Sequence, residues 1–196
     1  MRVFHIIPGA FDYFDDINDL AFKMVDNLSE AGIQVDVMTI QFGGTKKSTT
    51  THIKKIAPSR EYLGDCSLDE AIKKMSDYDL VHLHYPTFGA SRKILHELST
   101  HPKLPLVITY YRSIVLQDFF SIVLKMSDWY FRPVLFKRAQ AVTYFNEKDW
   151  NKSRIKSLIS PEVFVENLSD TLAGSNAKDA QISHLLWLYN QLLDIL

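Results

Sequence analysis

The sequence predicts an α/β fold: a parallel sheet with helices on both faces and one added helix at the carboxyl end. Three observations carry this. The stretch Asp79-Leu-Val-His-Leu-His-Tyr-Pro is apolar at Leu80, Val81 and Leu83 with few gaps, the pattern of a parallel strand covered on both faces. Strand-like and helix-like segments then alternate along nearly the whole chain, which calls for crossover helices. Finally, 196 residues of which 46% are hydrophobic are enough for one well-packed core.

Taken in order, Arg2 to Ile7 reads as a buried first strand through Val3, Phe4, Ile6 and Ile7. A loop with Phe11, Tyr13 and Phe14 leads to a helix whose Ile17, Leu20, Ala21, Met24, Val25, Leu28 and Ala31 recur at helical spacing. Asp15 or Asp16 is placed to cap its start and Gly32 to end it. Ile33 to Ile40 alternates as a second strand. Thr45 to Thr51 reads as an exposed loop, and His52 to Ala57 as a short extra strand. Ser67-Leu-Asp-Glu70 is a capping box opening a helix to Met75. The strand Asp79–His84 follows, then a helix from Ala90 to Ser99 and a strand from Leu104 to Tyr110.

Ser113 is placed to cap a helical region reaching Arg138, with a break expected near Pro133. Ala141 to Tyr144 is a strand. Asn146 caps a short helix, with Phe145 and Trp150 at the two positions of a hydrophobic staple. Pro161 to Val165 reads as the last strand. A polar stretch from Ser169 to Lys178 precedes an amphipathic helix from Ala180 to Ile195.

Composition narrows the function classes. A net charge of −1 gives no reason to expect nucleic acid as a partner. No apolar run reaches the roughly 20 residues of a membrane span, and the apolar run after Met1 is too short for a signal peptide. The single cysteine, Cys66, excludes an internal disulfide and fits a reducing compartment, so the expectation is a cytoplasmic protein.

The residues with chemistry gather at expected carboxyl strand ends, where open α/β sheets bind ligands. His82 and His84 stand two apart on one strand and so point to one face, an arrangement that suits a metal or a phosphate. The plainer alternative is a core histidine bonded to backbone. No third ligand is placed by spacing, so no metal is assigned. His84, Tyr85 and Thr87 could contact a sugar. Tyr111 and Arg112 follow the next strand, and the Arg112 fork suits a phosphate or carboxylate. These five residues are the candidate substrate-binding set, with His84 and Arg112 expected to line one cleft. No nucleophile–base constellation can be assembled from spacing, so no catalytic residue is named.

Several segments in register resemble the N-terminal domain of family-four GT-B glycosyltransferases. They are Arg2-Val-Phe-His-Ile-Ile-Pro8, Leu28 to Val37, Tyr78-Asp-Leu-Val-His-Leu-His84, Leu106-Val-Ile-Thr-Tyr-Tyr111, Arg132-Pro-Val-Leu135, Arg138 to Val142 and Glu162 to Asn167. The resemblance implies a single Rossmann-like half-domain over residues 1–168, a linker over 169–178, and a helix over 179–196 like the family's returning final helix, docked back on the domain.

It also implies an acceptor-side domain in glycan or glycoconjugate synthesis that transfers no sugar alone. Its partners would be a donor-domain subunit and a sugar or lipid-linked acceptor. A non-catalytic binding subunit fits equally. The competing readings are a small stand-alone enzyme using the His84/Tyr111/Arg112 cleft and a protein-interaction module. No cofactor is implied.

Two departures stand out. The phosphate loop is reduced to Pro8 and Gly9, where the family carries a glycine pair, and Tyr111 replaces a frequent histidine. The aromatic stretch over 114–138, with Lys125, Arg132, Lys137 and Arg138 interleaved, reads first as a core helix pair with snorkelling bases. Peripheral contact with the inner face of a membrane and a protein–protein surface are the alternatives. The apolar face of the last helix would also permit a homodimer.

Overall fold

β1 (Arg2–Ile7) lies inside the sheet because five of its six side chains are buried, leaving no face for water. In the computed structural model, which describes residues 1–7, 14–42, 49–56, 61–87, 89–114, 119–169 and 177–194, the chain continues through α1 (Asp15–Glu30), β2 (Gln34–Phe42), β3 (Thr49–Ile56), β4 (Glu61–Ser67) and α2 (Leu68–Lys73). Then come β5 (Leu80–Tyr85), α3 (Ser91–Thr100), β6 (Leu106–Tyr110), α4 (Phe119–Arg138), β7 (Ala141–Tyr144), α5 (Glu147–Lys152), β8 (Phe164–Asn167) and α6 (Ala177–Asp194).

The eight strands form one sheet in the order β4-β3-β2-β1-β5-β6-β7-β8. Six of them, β2, β1, β5, β6, β7 and β8, are parallel throughout. This is the expected Rossmann-like α/β domain. β3 and β4 extend it at one edge as antiparallel strands.

Two cores sandwich the sheet. On one face Phe4, Ile6, Val81, Leu83, Leu106 and Ile108 meet α2, α3, α5 and the end of α4. On the other, Val3, Ile7, Val35, Val37, Leu80 and Val107 meet α1 and α6. α4 touches both: Leu124 joins the α1/α6 core, while Leu135 and Phe136 join the opposite one. The helix therefore leans across the carboxyl edge that β6 has just left.

Local chemistry sets several boundaries as expected. Gly32 sits at φ +87° just past α1, with its N–H on the Ser29 carbonyl and that of Ile33 on Leu28, a Schellman closure that favours glycine. Ser67 and Glu70 make the reciprocal capping box of α2. The Asn146 side chain accepts from the N–H groups of Lys148 and Asp149.

Other expectations are corrected. Thr49 to Thr51 is strand, because these β-branched residues pair with the end of β2. β4 carries no strand-like alternation in the sequence and is a strand through its antiparallel pairing with β3. Phe14 occupies the N-cap of α1 without a capping side chain, and the Asp16 carboxylate pairs with Arg112 instead. α4 runs through Pro133 as one helix, since Leu135 and Phe136 beyond it are anchored in the core. The staple does not form: Trp150 stacks on Tyr144 at 4.9 Å on one face, while Phe145 packs on Tyr111 in the other core. Residues 161–163 form a turn, and the last strand begins at Phe164.

The core-helix reading of α4 holds for Leu124, Leu135 and Phe136 but not for most of its other apolar side chains. Phe119, Ile122, Met126, Trp129, Tyr130 and Val134 are all exposed. Pro8 and Gly9 lie outside the described residues. Among the described residues no helix is long and apolar enough to cross a membrane.

Candidate functional site

β1 and β5 are neighbours in the sheet although three more strands and two α-helices separate them in the chain, so the connections leave this junction in opposite directions. The crevice outside the carboxyl ends at such a switch point is where this architecture binds ligands. Tyr85 ends β5, and a cis peptide joins it to Pro86. Its ring is 2% exposed and packs against Phe136 and Tyr110. Thr87 follows at 5% exposure. Neither the Tyr85 nor the Thr87 hydroxyl has a hydrogen-bond partner among the described residues. Leaving a buried hydroxyl unpaired costs roughly 1–3 kcal/mol.

Arg112 follows β6, and its guanidinium donates to both Asp16 oxygens at 3.0 Å, tying the loop after β6 to the start of α1. This hydrogen-bonded cation holds the Asp16 carboxyl below its usual range.

His84 does not share an open cleft with Arg112. It is wholly buried and faces the α1/α6 core with His82, because the two alternate with Leu83 along β5. The parallel register sets His5 of β1 directly opposite His82. The rings of His82 and His84 stack at 4.7 Å, and that of His5 lies 4.8 Å and 5.2 Å from them.

Burial drives all three imidazoles towards the neutral form. His82 is lowered to about 3, and His5 and His84 are pushed well below the usual histidine value, helped by their neighbours. Burial also raises the Tyr111 and Tyr189 hydroxyls, so both keep their protons.

One assignment of protons satisfies the hydrogen bonds. Tyr189 O–H on α6 donates to His82 Nδ1 at 2.5 Å, and His82 Nε2–H donates to Thr109 Oγ1 at 2.6 Å. Thr109 O–H then donates to Thr143 Oγ1 at 2.7 Å. In a second chain Tyr111 O–H donates to His84 Nδ1 and His84 Nε2–H to His5 Nδ1, both at 2.9 Å. That leaves His5 Nε2 buried without a partner among the described residues.

Of the five residues expected to bind substrate, the structure joins His84 to Tyr111 by a hydrogen bond. It sets Tyr85 on the opposite face, and it leaves Thr87 and Arg112 at the carboxyl edge. His5 escaped the sequence reading because β1 and β5 are far apart in the chain; the only signal was a histidine in the middle of an otherwise apolar strand.

No protein-family model matches the sequence, and no curated protein matches it. Among solved structures, the chain is similar to a secreted C11 cysteine protease, iotapain, from Bacteroides thetaiotaomicron, at 7% identity and a TM-score of 0.30. The similarity covers 74% of this chain and 45% of the protease, so the chain spans less than half of that protein's length and takes nothing about its chemistry from it.

Proposed function

We propose that the chain is a glycosyltransferase-like acceptor-side domain that works with a separate donor-binding unit on a lipid-linked acceptor. The observation that carries this is the exposed stripe of α4. Phe119, Ile122, Met126, Trp129 or Tyr130, and Val134 recur three or four residues apart, with exposures of 82%, 45%, 67%, 73%, 66% and 51%. Exposed Lys125 and Lys137 flank the stripe, and Asp128, the one acid of α4, is turned inward beside Arg132. An apolar face bearing Trp and Tyr with a basic border suits an anionic lipid surface. Because α4 leans over the carboxyl edge, a membrane held there would bring a lipid-linked headgroup to the unpartnered Tyr85 and Thr87 hydroxyls.

The test is co-sedimentation with phosphatidylcholine vesicles, with and without phosphatidylglycerol, and with and without a glycolipid. Wild type should bind the anionic vesicles, and the glycolipid should strengthen binding. Trp129→Glu should abolish sedimentation, while Thr87→Val should remove only the glycolipid increment. Binding indifferent to lipid charge and to Trp129, or a stripe that instead pairs two copies in solution, would sink the membrane reading. A missing glycolipid increment would sink the acceptor reading.

A further inference from the structure

We infer that His5, His82 and His84 form a transition-metal site in the core between the sheet and the α1/α6 layer. One nitrogen from each ring lies within 4.8 Å of the other two. Zinc–imidazole bonds of about 2.0–2.1 Å set tetrahedral ligand nitrogens roughly 3.4 Å apart. His5 Nδ1 and His84 Nε2, now 2.9 Å apart, open slightly and the longest edge closes, both by ring rotation.

Backbone geometry fixes the cluster. The i, i+2 pair on β5 shares a face, and the register places His5 on the adjacent strand beside His82. Three imidazoles without thiolate or carboxylate select zinc, copper, nickel or cobalt over magnesium or calcium.

The surroundings fit the same purpose. A metal-bound histidine uses its other ring nitrogen to hold an oxygen partner, which fixes its orientation. Tyr111 stands at His84 Nδ1; at His82 the ion displaces either the Tyr189 or the Thr109 hydroxyl, and the other hydroxyl holds the free ring nitrogen. On binding, the His84 proton moves from Nε2 to Nδ1 and the Tyr111 hydroxyl turns its own hydrogen away to accept it, so His84 stays neutral.

His84 and His82 are 0% exposed, and so is His5. The ion therefore enters as the chain folds. The test uses full-length untagged protein made in cells grown with added zinc or cobalt, then dialysed and assayed for bound metal. Wild type should retain about one ion per chain, and the cobalt form should show the visible absorption of a four- or five-coordinate ion.

His5→Gln should lose the ion and the absorption. His184→Gln removes the surface histidine that pairs with Glu166 at 2.7 Å and should lose neither. Folding of each variant is checked by circular dichroism. If His5→Gln fails to fold, the wild-type metal content decides alone. Wild type that folds and retains no ion from either medium overturns the site, as does an ion lost in His184→Gln but kept in His5→Gln.

Discussion

The Tyr189 hydroxyl of α6 donates to Nδ1 of His82 across 2.5 Å, linking the last helix to the middle of the sheet. The bond is 0% exposed at both ends, and Leu185, Leu188 and Leu192 of the same helix are buried in the same core as Tyr189. α6 also reaches α1, where Asn27 Nδ2 donates to Gln181 Oε1 at 3.5 Å and Lys178 pairs with Glu30. The terminal helix is thus fastened by a polar bond inside an apolar contact. Removing that bond leaves a ring nitrogen unsatisfied where no water can replace the lost partner.

Tyr189→Phe should therefore lower stability by about 1–2 kcal/mol with an unchanged denaturant slope. Urea unfolding checks this. A midpoint equal to wild type would mean that the hydroxyl contributes nothing to holding α6.

Asp128 offers a pH test. Burial, only partly offset by Arg132, raises its carboxyl to about 6 in the folded chain against an ordinary value of 3.8. The folded state then holds more protons than the unfolded one between those values, so stability falls as pH rises through that window. Going from pH 7 to pH 5 should favour wild type over Asp128→Asn by about 1 kcal/mol. The buried histidines pull the opposite way in both proteins, so the difference between them isolates Asp128. Parallel stability curves would count against a raised carboxyl.

Arg112→Ala should leave stability within about 0.5 kcal/mol, because its pairing with Asp16 is solvent-screened: the side chains are 28% and 61% exposed. The Asp16 carboxyl should titrate at higher pH in the variant, since the guanidinium that lowers it is gone. A carbon-detected NMR titration reads this directly, and an unmoved Asp16 would show that the cause lies elsewhere.

Gly32→Ala should destabilise by about 1 kcal/mol. A Cβ there meets nothing within 4 Å, so the whole cost comes from holding φ +87° with an L side chain. Thermal unfolding checks it, and an unchanged melting temperature would mean that the Schellman turn can relax to negative φ.

The sequence by itself determined the fold class and most elements, because their signals are local. Apolar runs marked β1 and β5, Ser67 with Glu70 marked the start of α2, and Gly32 marked the end of α1. Local signals also misled where packing overrides them: Pro133 sits inside a helix because Leu135 and Phe136 hold its path, and Thr49 to Thr51 joins a strand because β2 offers a pairing edge. Only the tertiary structure decided which residues meet. It set His5 beside His82 and His84 and turned Tyr85 to the other face. It brought Tyr189 back to β5 and left the aromatic stripe of α4 facing solvent. Strand register and helix docking create those juxtapositions between residues far apart in the chain, and periodicity carries no information about either.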